Sequence, residues 1–234
     1  MSEIVDRSEI RSVSPAELLG TLNEVEEKNA PSGLWVVGDV ELLRTGARVS
    51  VVGSRKPSPE GLERARRYAH TLCELDVVVV SGLAEGIDRA AHEEALRAGG
   101  RTVAVLGSGL DRPYPASNRN LFGRIAAEHA AISQFAPGTP PRGKNFPQRN
   151  RVMALITDAT IIVEAGESSG TRHQGWEALR LNRTLFIDRH VIEAGRSWAG
   201  EMLGYGAQVI DPEDLPHLMD ELPTVSSGVA ELPF

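Results

Sequence analysis

The sequence predicts an α/β fold built on one open, mostly parallel sheet flanked by helices. Two observations carry that expectation. Apolar runs rich in β-branched residues recur along the chain, among them VSVV, VVVV, TVAVL and TLFI. Each is followed by a polar turn, often glycine-bearing, and then by a stretch with helical punctuation, the order expected of repeated βα units. The VVVV run is apolar throughout rather than alternating, which suits an interior parallel strand covered on both faces.

In chain order, residues 15–28 read as a helix, with Ser14 and Glu17 forming a Ser-x-x-Glu capping box. Residues 29–33 break it, residues 34–37 read as a short strand, and residues 40–43 read as a helical turn. From Val49 the pattern becomes regular. VSVV leads through GSRKPS into a helix over 59–75, with a proline in its first turn. VVVV over 77–80 leads through SGLAEGI into a helix over 88–98 that Gly99 and Gly100 end, and TVAVL over 102–106 leads into the loop GSGLDRPYP. Asn118 is placed to cap a helix running to His129, followed by the strand AAISQF. The next stretch, APGTPPRGKNF, holds three prolines and two glycines and does not suit a helix interior. A helix over 149–156, a strand over 160–163, the loop EAGESSG, a helix over 171–181 and the strand TLFI come next. A less regular segment with Trp198 then precedes a last strand over 207–210. DPEDLPHLMDEL suits an acidic helix and TVSSGVAELPF a loose tail.

With 234 residues the chain can bury a sizeable core unaided. One domain with appendages is expected: a helical lead-in over residues 1–33, the α/β domain over 34–210, and an acidic helix and tail over 211–234. Cys73 is the only cysteine, so neither a disulfide framework nor a Cys/His metal cluster can be written. That usage fits the reducing cytoplasm. The opening MSEIVDRSEI does not read as a signal peptide, and no apolar stretch nears the length of a membrane span, so a soluble protein is expected. The net charge of −7 is unevenly spread: residues 1–45 hold 9 acidic and 4 basic groups, residues 193–234 hold 8 and 1, and the middle holds 15 and 20. The middle is therefore basic by five charges (20 − 15), and the acidity of the whole does not exclude local binding of a polyanion.

The right-handed crossover of βα units brings successive turns to one sheet edge, which is the expected site. In the first turn Gly53 permits a tight bend or a close ligand approach, Ser54 can donate from its hydroxyl and amide, and Arg55 carries a donor fork suited to phosphate. A helix amino terminus adds unpaired amides. The spacing is neither that of a dinucleotide fingerprint nor that of a phosphate loop. In the second turn, from Ser81, Gly82 and Gly86 suit an anion cradle, Asp88 suits a helix cap, and His92 suits local packing. PRGKNFPQRNR carries Arg142, Lys144, Arg149 and Arg151 with Phe146 among them and no acid. Cations that neutralise phosphate beside a ring that stacks on a base are the combination of a single-strand groove; a ring anchoring the loop to the sheet reads equally well. Glu164, Glu167 and Glu177 have no spacing that places them in one pocket. Trp176, Trp198 and Cys73 read as packing residues. No nucleophile elbow or metal-ligand cluster is present in the sequence.

VVGSR, VVSGLAEGIDRAAHEEAL, TVAVLGSGLDRPYP, FPQRNR and VEAGESSGT occur in this order, and together they resemble the DNA-processing protein A family, also called the Smf family. The resemblance spans residues 34–207, without an evident carboxyl-terminal winged helix or full amino-terminal helical extension. It implies an extended Rossmann-like domain that binds single-stranded DNA, aids loading of a RecA-type recombinase during natural transformation, and forms a homodimer, with no cofactor or membrane partner. Carried onto this chain, it points to Ser54 and Arg55, to Lys144 and Phe146, and to Arg149, Asn150 and Arg151 as DNA contacts. The loops from Ser81 and Gly107 would help build the pocket; Gly53, Gly82 and Gly107 belong to the same set. Two segments depart from the pattern. After Gly170 the chain reads TRHQGW in place of small residues, and after TLFI it reads DRHVIEAGRSW in place of a proline-glycine turn. Two other readings stand beside this one. A nucleotide-binding enzyme or sensor related to nucleotide phosphoribohydrolases would use Glu164 or Glu177. A partner-regulated adaptor would fold its acidic end over the groove.

Overall fold

A computed structural model of the chain describes residues 5–219. Its centre is a nine-stranded sheet of order β1-β2-β6-β5-β4-β3-β7-β8-β9. The strands are β1 (Arg11–Val13), β2 (Leu34–Gly38), β3 (Arg48–Gly53), β4 (Val78–Ser81), β5 (Thr102–Leu106), β6 (Ala130–Ser133), β7 (Ala159–Glu164), β8 (Thr184–Asp188) and β9 (Gln208–Ile210). Neighbours from β6 through β9 run parallel, while β1 and β2 add antiparallel at one end. The mostly parallel sheet expected from the apolar runs is therefore present.

The helices are α1 (Pro15–Leu19), α2 (Glu24–Asn29), α3 (Pro59–Glu74), α4 (Ile87–Arg97), α5 (Arg119–Glu128), α6 (Asn145–Ile156), α7 (Thr171–Arg180), α8 (Arg189–Glu193), α9 (Ser197–Gly204) and α10 (Leu215–Met219). Residues pointing to opposite sides of each strand separate the core into two faces. Val49, Val51 and Val79 meet Tyr68 and Leu72 of α3 and Ala91 and Ala95 of α4. Val52, Val80, Val103 and Val105 meet Val152, Met153 and Leu155 of α6 on the other side, together with Trp198 and Met202 of α9. Ala104, Leu106 and Ala131 are covered by Phe122 and Ile125 of α5.

Several elements differ from expectation for identifiable reasons. The helix expected over 15–28 is two helices. The Ser14 and Glu17 capping box is present, but Gly20 takes φ +81° and ends α1, and Asn23 with Glu26 makes a second capping box that starts α2. Strand β1 carries no sequence signal, being three residues long and mostly exposed. Asn118 does not cap α5 through its side chain; its amide instead donates to Leu83 O at 2.9 Å and Ala84 O at 3.2 Å, holding the loop after β4. Asp88 lies inside the first turn of α4 and does not cap it. The irregular segment around Trp198 contains α8 and α9. The acidic end, as far as residue 219, docks on the far side of α3: Leu215 is fully buried beside Tyr68, Arg67 bonds Glu213, and Arg189 meets Asp211 at 2.6 Å. The tail over 220–234 lies outside the described residues.

Helix α6 is fixed from its carboxyl end. The fully buried Arg48 at the start of β3 donates from Nε to Ile156 O at 2.7 Å and from Nη1 to Leu43 O at 3.0 Å, while its amide donates to Asp158 Oδ2 at 2.7 Å. A cation on the last carbonyls of a helix is favourable.

His92 is fully buried on α4, with Nδ1 2.7 Å from Thr102 Oγ1. Because the threonine hydrogen goes to Val79 O, Nδ1 is the donor in this pair. Burial pushes the pKa of the ring down to about 3 from an ordinary 6.5. The unfolded chain therefore binds one more proton than the folded chain between these values, and stability falls as pH drops below 6.5. The expected slope is about 1.4 kcal/mol per pH unit from this group. Urea unfolding of the wild type and His92→Gln across pH 4.5–7.5 checks this, the difference in slope being the readout.

Candidate nucleic-acid interface

Strands β3 to β6 extend in one direction from the middle of the sheet and β7 to β9 in the other. The loops after β3 and β7 consequently part at a topological switch point, where open α/β sheets leave a crevice at the carboxyl ends of their strands. A crevice of about 520 Å³ lies there, lined by Gly53, Ser54, Arg55 and Lys56 after β3, by residues 168–171 after β7, and by α6. The loops are tied across it. Ser54 N donates to Glu164 O at 2.7 Å, Thr171 Oγ1 donates to Gly53 O at 3.1 Å, and Ile87 N donates to Ser54 O at 3.1 Å. Gly53 is required sterically, since a Cβ there would stand 2.6 Å from Ile87 Cγ1 and 2.8 Å from Glu164 O.

Helix α6 starts at Asn145, four residues earlier than expected, and this early start makes the wall. Pro147 falls in the first turn, where a missing amide is harmless. Phe146, Arg149, Asn150 and Met153 then follow helical spacing, and all four line the crevice. The Arg55 guanidinium lies 5.1 Å from the centroid of the Phe146 ring, and the Tyr114 ring lies 6.0 Å from it. Gly107 lies against the same ring: a Cβ would be 3.0 Å from it. Cation and ring are thus held in mutual attraction at the mouth.

Arg149 is buried on the floor. Its Nη1 is 3.7 Å from Asp88 Oδ2, an ion pair rather than a hydrogen bond, and its Nε and Nη1 have no hydrogen-bond partner among the described residues. Gly82 makes room for it, because a Cβ at residue 82 would fall 1.0 Å from Nη1. The Asp88 carboxylate accepts from Gly82 N at 3.1 Å and from Ala84 N at 3.4 Å, shaping the loop that frames the guanidinium. Burial pushes the Asp88 carboxyl up, opposed first by Arg149 and then by the Ala84 and Gly82 amides.

Other sequence-selected residues lie elsewhere. Ser81 is fully buried and donates to Val51 O at 2.7 Å, so its hydroxyl joins strands rather than facing the crevice. Arg151 lies on a different face of α6 from Arg149 and meets Glu177, with Nε 3.2 Å from Oε2. Lys144 stands exposed at the amino-terminal cap of α6, outside the crevice lining and two residues before Phe146. Residues not singled out in the sequence also line the crevice, namely Lys56, His173 and Gln174, while Tyr114 joins Arg55, Phe146 and Arg149 around a smaller recess beside it. Neither carboxylate of the nucleotide-enzyme reading lines the crevice. Glu164 accepts from Ser58 N at 2.9 Å and Ser58 Oγ at 2.6 Å, and Glu177 meets Arg151 and Arg180. Among the described residues no cluster of three or more metal-ligating side chains occurs, and no helix is long and apolar enough to cross a membrane.

The structure is thus a doubly wound, Rossmann-like α/β domain with a cationic, ring-bearing crevice at its switch point. Residues 15–222 match the family described as DNA recombination-mediator protein A. The chain belongs to that family. It is 43% identical over 138 residues to protein Smf of Synechocystis, covering 59% of this chain and 35% of that protein. It is 36% identical over 183 residues to the DNA processing protein DprA of Streptococcus pneumoniae, covering 78% and 64%. The matches thus span about a third to two thirds of these relatives' lengths. The solved S. pneumoniae DprA structure superposes with a TM-score of 0.79 at 32% identity, over 92% of this chain and 75% of that one. The Helicobacter pylori DNA processing protein A, solved to describe its single-stranded DNA binding mode, superposes with a TM-score of 0.75 at 24% identity over 92% and 97%, a likeness of fold.

Proposed function

We propose that the crevice binds single-stranded DNA, the phosphates drawn to Arg55 and Lys56 in its lining and to the exposed Lys144 two residues before Phe146, and a base stacking beside Phe146. The observation that carries this reading is the Arg55 and Phe146 pair, 5.1 Å apart, at the mouth of a crevice whose floor holds a buried arginine with unpaired donors. Stacking accepts any base, whereas phosphate contact supplies charge, so weak sequence preference goes with strong salt dependence. The Asn150 amide, 3.5 Å from Gly170 O, holds the far wall. Membership of the recombination-mediator family supports the reading. With it go hand-over of the strand to a RecA-type recombinase, homodimer formation and a cytoplasmic setting, each part of the same proposal.

Matched single- and double-stranded oligonucleotides titrated across a salt series test the proposal. The single strand is expected to bind more tightly, and Arg55→Ala to reduce the slope of log K against log salt by about 0.7, the value for one phosphate contact on a single strand. Equal affinity for the duplex would overturn the single-strand mechanism.

A further inference from the structure

The segment between β8 and α9 contributes one side of a second cleft. It has a volume of about 330 Å³ and is lined by Lys56, Ser58, Glu164, His190 and Arg196, with Ser54 and Gly166 on the rim it shares with the switch-point crevice. Lys56 therefore faces both spaces. Arg196 caps the amino end of α9 without a side-chain cap bond, and its Nε is buried with no hydrogen-bond partner among the described residues. His190 is exposed at the start of α8. The acids nearby are already engaged: Glu164 accepts from Ser58 and lies 3.6 Å from Arg64, and Glu167 accepts from Ser197 Oγ.

We propose that this cleft is a second phosphate subsite for the same DNA strand, which leaves the crevice over Lys56 and places a following phosphodiester against Arg196 and His190. The inference rests on the single-strand reading and extends it by a direction for the strand. Charge decides between this and an apolar occupant. Lys56 and Arg196 bring two cationic side chains to the lining, the one lining carboxylate is tied to Ser58 and Arg64, and a guanidinium suits phosphate.

The test compares an oligonucleotide of about 16 nucleotides with one of about four, the span of site sizes known for single-strand-binding OB folds, on the intact chain, Arg196→Ala and the polar, uncharged Arg196→Gln. Both variants are expected to lower the salt slope by about 0.7 on the long strand and to leave the short strand unchanged, with circular dichroism and melting checking the fold. An unchanged slope on both lengths, or equal weakening on both, would overturn the subsite while leaving the crevice reading intact. Calorimetric binding of inorganic phosphate that depends on Arg196, with no change in the DNA slope, would assign the cleft to a free anion and also overturn it. Failure of the wild type to bind either strand would remove the crevice reading itself.

Discussion

Gly82→Ala is expected to destabilise the chain by about 3–5 kcal/mol, the range for stripping one partner from a buried ion pair, and to remove most single-strand binding at the same time. The added Cβ would fall 1.0 Å from Arg149 Nη1 and 2.2 Å from its Cζ, so the guanidinium is displaced from Asp88 toward the crevice that it lines. Arg149 must leave its slot, and the Asp88 carboxylate then stays desolvated with only the Gly82 and Ala84 amides as donors. Urea unfolding followed by circular dichroism measures the loss. A double-mutant cycle isolates the cause. In an Arg149→Ala background the clash is gone, so Gly82→Ala should add little, a strong non-additivity expected of groups in contact. Additive losses would show that residue 82 acts through something other than the arginine.

Phe146→Ala is expected to weaken single-strand binding about 5- to 150-fold, which corresponds to about 1–3 kcal/mol for a base stacked on an aromatic ring. Phe146→Trp should preserve it. Stability should change little by comparison, because the ring is half-buried at the amino end of α6 rather than in the core. Fluorescence anisotropy on a short oligonucleotide reads the effect. Arg55→Ala and Phe146→Ala should be less than additive, since the guanidinium rests against the ring; full additivity would mean the two groups meet different parts of the strand.

The strands from Val49 onward were legible because they are covered on both faces, which forces apolar, β-branched runs that few other environments require. β1 was not, because an exposed three-residue edge strand asks nothing of its side chains. Residues 189–204 were obscured by two short helices whose hold on the core comes from a few residues such as Trp198 and Met202. At the site, Arg55 and Phe146 were legible by residue type and position beside a turn. The division between Arg149 and Arg151 was not, although the signal existed: two positions along a helix turn a side chain by about 200°, so the pair cannot share a face once α6 is known to reach back to Asn145. The burial of Arg149 depends on the absence of a side chain at Gly82, far away in sequence, which no local pattern reports. Ser81 sits beside a glycine turn, but a hydroxyl at the last position of a covered strand finds its partner in the neighbouring strand, here Val51 O.

The bond from Thr171 Oγ1 to Gly53 O joins the two directions in which the sheet was laid down, across a sequence separation of 118 residues. Any guest seated at that seam touches both wings at once and exists as a complex only when both have folded. Its occupancy is therefore written into the melting curve: a guest at a hundred times its Kd raises the unfolding free energy by about 2.7 kcal/mol. The seam works as a thermodynamic clasp, and the loaded protein should resist proteolysis in β4 and β8 alike.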